Sequence, residues 1–227
     1  MKYCLNFNKM TIVEVVDQYL RQSPFLEEAL ADNLVNVSSL ARRIKPFIEE
    51  KLQKPVKEGA IIVAINRREP NYYYKINLGI KGFLKNLGDI IVRSDLRDYT
   101  YANSETLMDS VRILIGRMGR EKELFVTVSR GIYETTIIVS RAAESMAAKI
   151  FKKEKLIAEK TNLSSITIRL PKNNTEISGI YYFILKKIAW AGINIVEVIS
   201  TSNEFTLVVS EEYVHQALGI LIELKSL

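Results

Sequence analysis

Thr136-Ile137-Ile138-Val139-Ser140 leads into the helical run Arg141–Ile150, and Thr206-Leu207-Val208-Val209-Ser210 leads into the helical run Glu211–Leu221. The two stretches are copies of one pattern. Upstream, Leu124-Phe125-Val126-Thr127-Val128 holds the place that Ile193-Asn194-Ile195-Val196-Glu197-Val198 holds in the second copy. Each copy reads strand, helix, strand, strand, helix. Self-similarity at a fixed period decides an architecture before any single residue is weighed. The pattern predicts an α+β chain with two small units in tandem, a first over 87–160 and a second over 161–227.

The second copy shows the pattern most plainly. Ile166, Ile168 and Leu170 alternate with Thr167 and Arg169, which predicts a half-buried strand. Pro171-Lys172-Asn173-Asn174 is turn chemistry. Ile177, Ile180, Ile184, Ile188 and Ala191 then recur every three or four residues, so the period changes from strand to helix. Gly192 follows as a left-handed helix stop. Ile193, Ile195 and Ile199 are expected on one strand face, with Asn194 on the other. Ser202-Asn203 makes a turn into Phe205, Leu207 and Val209, and Ser210 is placed to cap the last helix, with Glu211 and Glu212 at its positive end. Little chain follows that helix, so a fourth strand of the second copy is expected to be short or missing.

Ser178-Gly179-Ile180 at a helix start, then Leu185-Lys186-Lys187-Ile188-Ala189-Trp190-Ala191-Gly192-Ile193-Asn194-Ile195, resembles the ACT domain, a small βαββαβ ligand-sensing module. That family carries a glycine at the start of its first helix, ends the helix in alanine and glycine, and opens its second strand with Ile-Asn-Ile. The first copy is a degenerate match. Ser178 stands where the family usually has proline, and Asn103-Ser104-Glu105-Thr106 has no glycine at the equivalent turn. The layout resembles the tandem ACT pair in the regulatory part of aspartate kinases, without a kinase domain before it. The resemblance implies two ferredoxin-like βαββαβ (ACT-like) units and an amino acid or similar small metabolite as effector.

The expected effector site is the turn Asn173, Asn174, Thr175, Glu176, Ile177, Ser178, Gly179 and Ile180, together with Asn194 and Ile195. A helix start offers unpaired N–H groups and a positive dipole end, which suit a carboxylate. Gly179 lets a ligand approach the backbone, and the Asn194 side-chain oxygen is expected to receive an amino group. Both residues also have a purely architectural reading: Gly179 as a close-packing position, and Asn194 as a cap on the Gly192 turn.

Residues 1–86 are expected to form a helical domain and linker. Ile12, Val15, Val16 and Tyr19 recur at helix spacing. Ser23-Pro24 starts a second helix with Phe25, Leu26, Ala29 and Leu30 expected inward, and Asp32-Asn33 ends it. Ser38 or Ser39 is expected to cap a third helix with Leu40, Ala41, Ile44, Phe47, Ile48 and Leu52 as its apolar stripe. Pro46 inside that run predicts a kink or break. A fourth helix is expected over Val56–Arg68, and residues 70–86 as a partly structured linker. Residues 33–68 resemble a helix-turn-helix. On that alternative reading Arg42, Arg43, Lys45, Lys57, Asn66, Arg67 and Arg68 contact DNA, and the tandem units supply dimerisation surface. The run Ala60–Ile65 is apolar on every face, whereas a recognition helix must show a polar face to base edges. A helical bundle that packs on other elements therefore stands beside the DNA reading.

Composition bounds the function. The chain has 227 residues, 48% of them apolar, and a net charge of +6. The charge divides as +5 over 1–86, +2 over 87–160 and −1 over 161–227, so the basic excess lies mainly outside the repeats. One cysteine, Cys4, makes no internal disulfide, and a cytoplasmic protein is expected. The single histidine, His215, reads as a surface residue of the last helix. One Cys and one His make no metal site. Gly116-Arg117-Met118-Gly119 lacks the spacing of a phosphate loop and reads as a helix end. Asp95, Asp98 and Asp109 show no acid–base pairing. The expectation is a regulator without catalytic residues, metal or cofactor, working as a homodimer with no membrane contact.

Overall fold

Two long strands pair antiparallel and carry both copies. In a computed structural model, which describes residues 10–67, 79–119, 124–172 and 174–226, the chain divides at Gly79/Ile80 into two compact units.

The first unit is a helical bundle: α1 Ile12–Arg21, α2 Pro24–Ala31, α3 Val37–Leu52 and α4 Glu58–Asn66. Thr11 and Glu14 form a capping box that starts α1. Asn36, not Ser38 or Ser39, caps α3: its Oδ1 accepts from the Ser39 N–H at 2.9 Å. Asn36 sits one residue ahead of the helix in extended backbone, where a side chain can reach back to the first turn. α3 runs unbroken through Pro46. The lost N–H removes one helix hydrogen bond, while Ile44 and Ile48 on either side are fully buried in the bundle core. Burial of those neighbours holds the helix together where propensity would break it. Phe25 is 56% exposed, so the expectation of an inward Phe25 is wrong, whereas Leu26 and Leu30 do pack on the core. Asn33 ends α2 with φ 58°. α4 is shorter than the expected Val56–Arg68, and Arg68 and most of the expected linker lie outside the described residues.

A short helix, α5, over 79–85 begins at the division and leads into the second unit. It continues through β1 Ile90–Ala102, α6 Leu107–Met118, β2 Val126–Arg130, β3 Glu134–Ser140, α7 Glu144–Ile150, β4 Leu156–Arg169, α8 Ile180–Trp190, β5 Ile195–Ser200, β6 Glu204–Ser210 and α9 Val214–Lys225. A 3-10 turn precedes each of α7 and α9, so Ser140 and Ser210 end strands and neither side chain caps a helix. All six strands form one antiparallel sheet in the order β2-β3-β1-β4-β6-β5.

The missing fourth strand is found in the other copy. Residues Leu96–Ala102 of β1 pair with β3 on one side and with 156–163 of β4 on the other. Residues 163–169 of β4 pair with β6 on one side and with Ile90–Arg93 of β1 on the other. Each copy therefore has a four-stranded sheet whose last strand, beside its own first strand, is lent by its neighbour. The boundary expected at 160/161 falls inside β4.

The exchange pivots on Leu96 and Leu163, which are register partners and both buried. The register slips on either side of the pair. Ser94 and Asp95 oppose Ser164, and Thr161 and Asn162 oppose Arg97. These are two β-bulges of opposite sense, one per strand. Asp95 and Asn162 both take φ 55°, a conformation that Asp and Asn tolerate better than other side chains. Asp95 is tied down further by Arg141 at 3.6 Å.

Tyr99, Tyr101, Ile137 and Val139 face α6 and α7 with Leu107, Val111, Leu114 and Phe151. On the opposite face Leu96, Ile138, Leu163 and Val208 form a separate cluster. Phe125 at one edge and Val196 and Ile199 at the other pack against that cluster, so the sheet curls over its helix-free face. A register shift between Ile195 and Glu197 puts Ile199 there and leaves Ile195 opposite Val209, so the two do not share a face as the alternation implied. A bulge resets the period of two.

Leu96→Ala should cost about 2–5 kcal/mol. Because the copies share both strands, this change in the first copy should lower the urea midpoint read by the fluorescence of Trp190 in the second. An unchanged Trp190 midpoint would mean that the copies unfold independently.

Candidate functional site

The start of α8 is built from a loop that is latched to the β5–β6 turn. Leu170 N–H donates to the Asn203 carbonyl at 2.7 Å, and Asn174 Nδ2 donates to the Ser202 carbonyl at 2.5 Å. Asn174 is only 8% exposed, and its Oδ1 is buried with no donor among the described residues. A buried acceptor left without a donor is costly and uncommon. Gly179 then takes φ 89° as the residue before the helix, a conformation that side chains resist. No side chain caps α8. Its first-turn N–H groups are left as a positive end.

The first copy builds the same corner differently. Asn103 Nδ2 donates to the Gly131 and Ile132 carbonyls of the β2–β3 turn, each at 3.0 Å. Its Oδ1 receives the Thr135 hydroxyl at 2.6 Å. By strand register Thr135 corresponds to Phe205 in the second copy, which brings a ring and no donor. Instead Phe205 stacks on Tyr181, with centroids 4.9 Å apart. The α6 start is also filled: Ser104, Thr106 and Ser110 donate to the Glu154 carboxylate.

The other expected site residues scatter. Thr175, Glu176 and Ser178 are exposed, Ile177 is half-buried, Ile180 is in the core, and Asn173 lies outside the described residues. Asn194 is exposed and follows Gly192, whose φ of 73° ends α8 as expected. Gly179 and Asn194 thus stand at opposite ends of α8, about 16 Å apart at the α-helical rise per residue. One small ligand cannot reach both within a chain. Ile195 lies on the sheet edge beside Asn194.

A cavity of about 350 Å³ opens on the helix-free side of the same β5–β6 turn. Asp89, Ile91, Thr167, Arg169, Asn203 and Glu204 line it, and none of residues 174–180 does. The floor is formed where β1 supplies the second copy's fourth strand, with Ile91 opposite Thr167. Further along the same face Asp98 is buried at 3% exposure. Burial raises its carboxyl above the usual range, against a lowering by Lys160. Glu197 is raised too, first by burial, then by Asp98, against Lys160, with Glu134 adding to the rise. Sequence pattern gave no hint of this acidic pair, because the curl that brings β5 over β1 is a property of the whole sheet.

In the helical unit, Arg42 and Arg43 are exposed on α3, and Arg42 donates to the Ser39 hydroxyl at 3.3 Å. Lys45 lies 3.9 Å from Glu49. α4 buries Ile61, Ala64 and Ile65 and exposes Glu58, Gly59, Ala60, Val63 and Asn66, so its outer side carries no cation between Lys57 before it and Arg67 after it. His215 is exposed on α9, and α6 ends at Met118 with Gly119 after it. Among the described residues no helix is long and apolar enough to cross a membrane.

No protein-family model and no curated protein matches the chain. Solved structures do resemble its fold. The regulatory subunit of aspartate kinase from Thermus thermophilus, in a ligand-free form, is 11% identical with a TM-score of 0.50, over 61% of this chain and 98% of that one. The aspartate kinase of Clostridium acetobutylicum is also 11% identical with a TM-score of 0.50, over 61% of this chain and 34% of that one. At this identity the likeness is one of fold alone, an α+β chain with a curled antiparallel sheet.

Asp98→Asn should raise the melting point at pH 7. A carboxyl whose folded pKa is raised opposes folding above that pKa, and protonation on acidification relieves it. The gain should therefore shrink as pH falls toward 4, which scanning calorimetry across that range can follow. A loss of stability at pH 7 would mean that the charge is favourably paired.

Proposed function

We propose that the protein is a non-enzymatic regulator whose second ACT-like copy senses a small zwitterion, an amino acid or a close relative, at the start of α8. One observation carries the reading: Asn174 holds a buried carboxamide oxygen without a donor, whereas in the first copy Asn103, which stands at the register place of Leu170 and latches the equivalent turn, has its oxygen satisfied by Thr135. A ligand ammonium supplies the missing donor. The first-turn N–H groups of α8 suit the ligand carboxylate, and Gly179 keeps side-chain bulk away from that end. Likeness of fold to regulatory parts of aspartate kinases supports a sensing role at the level of architecture.

The ligand meets Asn194 only from a second copy of the chain, since Asn194 stands at the far end of α8 in its own. A homodimer fits the exposed aromatic surface of that helix. Trp190 is 75% exposed, Tyr182 46% and Tyr181 41%. β5 beside them is an edge strand of the sheet. The helical bundle then delivers the output.

A thermal-shift screen of the twenty amino acids should reveal at least one that raises the melting point, because a ligand that binds only the native state stabilises it. Gly179→Val and Asn174→Leu should each abolish that shift, with affinity in calorimetry falling by about 1–3 kcal/mol when the Asn174 acceptor is lost. A shift retained in both variants sinks this site, and a shift lost in Arg169→Met alone moves it to the cavity beside Asn203. Trp190→Glu should convert the dimer to monomer in size-exclusion chromatography with light scattering.

A further inference from the structure

We infer that Glu154 is a built-in ligand of the first copy: its carboxylate fills the place at the α6 start that an effector carboxylate takes at the α8 start, and so silences that copy as a sensor. The inference rests on the reading above for the second copy.

The contacts are those of a bound carboxylate. Ser104 Oγ donates to Glu154 Oε2 at 2.6 Å, while Thr106 Oγ1 and Ser110 Oγ donate to Oε1 at 2.9 and 3.2 Å. Both oxygens are engaged, by three hydroxyls, at the positive end of a helix twelve residues long. Ordinary capping does not require this. Ser104 Oγ already accepts from the Leu107 N–H at 3.0 Å, which is the local cap. Glu154 comes from a turn 48 residues beyond Thr106. That turn is held for the purpose. Phe151 is buried and stacks on Tyr101 at 4.9 Å, Glu154 N–H donates to the Phe151 carbonyl, and Ala102 N–H donates to the Lys155 carbonyl. Burial works to raise the Glu154 carboxyl, and the three hydroxyls together outweigh it and hold the carboxyl below its ordinary range.

The second copy lacks the device. Counted from Ser140 and Ser210, the counterpart of Glu154 is Leu224, buried within α9. Where the first copy turns back at 151–154, α9 continues as helix to Lys225. Thr175 and Ser178 remain as hydroxyls near the α8 start, and among the described residues no side-chain carboxylate bonds to either. One copy thus closes its corner with its own acid and its own Thr135, and the other leaves both the helix end and the Asn174 oxygen open.

Chemical rescue tests this without any knowledge of the natural effector. In the full-length protein, Glu154→Ala should melt roughly 3–6 °C lower than wild type at pH 7. Propionate, which supplies the lost carboxylate on a short alkyl chain, should restore at least half of that loss in a saturable way, with sodium chloride at equal concentration as the control. Wild type, its site already filled, should not respond. Should Glu154→Ala fold poorly, Glu154→Gly gives the same comparison, and refolding yield in propionate against chloride gives a second readout. Equal response of variant and wild type to propionate overturns the proposal, as does a variant that melts with wild type. Because the readout lies wholly in the first copy, it stands or falls apart from the Gly179 and Asn174 variants. Loss of their ligand response with intact propionate rescue supports both readings. Propionate rescue with no amino-acid response in any variant leaves the built-in ligand standing and removes the sensing role of the second copy.

Discussion

Everything in the second unit depends on one antiparallel pairing, that of β1 with β4 about Leu96 and Leu163. An isolated strand-helix-strand-strand-helix unit leaves the inner edge of its first strand unpaired, and exposed edges invite the wrong partner. Here each first strand runs past its own unit and completes the other. The hydrogen-bond ladder is continuous across six strands, and neither copy has an independent sheet. The two bulges sit where each strand passes from its own copy to the other, and each shifts the register by a residue. Asp95 and Asn162 are suited to that turn of the backbone, since their short polar side chains tolerate positive φ.

The pairing imposes a pseudo-symmetry that makes the copies comparable residue by residue. Thr100 faces Thr136 in one copy, and Thr167 faces Thr206 in the other, with hydroxyls 3.2 and 2.8 Å apart. Ser140 and Ser210 take matching places beside the pivot. Against this common frame the differences stand out. Thr135 satisfies the Asn103 oxygen in one copy, and Phe205 and Leu170 hold the matching places in the other. Glu154 against Leu224 decides whether a helix start is occupied. A duplicated fold has kept its scaffold and let its two ends diverge in polarity, so one end is closed and the other is open.

The helix-free face follows from the same pairing. Six twisted strands in one ladder curl, and the curl brings Phe125, Val196 and Ile199 over the pivot cluster. That burial raises Asp98 and Glu197, and it explains why carboxylates on strands that are not neighbours feel one another. Neither group gains a compensating ion pair at contact distance among the described residues, so they are a tension in the fold and not a contribution to it.

The sequence alone determined what local chemistry controls. The order of elements, the helix stop at Gly192, the turn at Ser202-Asn203 and the stripe Ile180, Ile184 and Ile188 all follow from periods of two and 3.6 and from the conformational freedom of glycine. The same reading took Pro46 for a kink or a break and Phe25 for a core residue, because propensity and spacing do not register what a neighbouring helix buries. Tertiary structure alone decided the rest. Strand exchange was invisible because pairing depends on which edges meet, not on the composition of either strand. The bulge at β5 reset an alternation that looked unbroken in the sequence. The family resemblance puts Gly179 and Asn194 in one site, yet a helix between them sets them apart by its length. Asn174 and Glu154 gained their meaning only from distant partners, Ser202 in one case and Ser104, Thr106 and Ser110 in the other. A hydrogen bond is fixed by position in space, and spacing along a chain does not encode it when the partners belong to different elements.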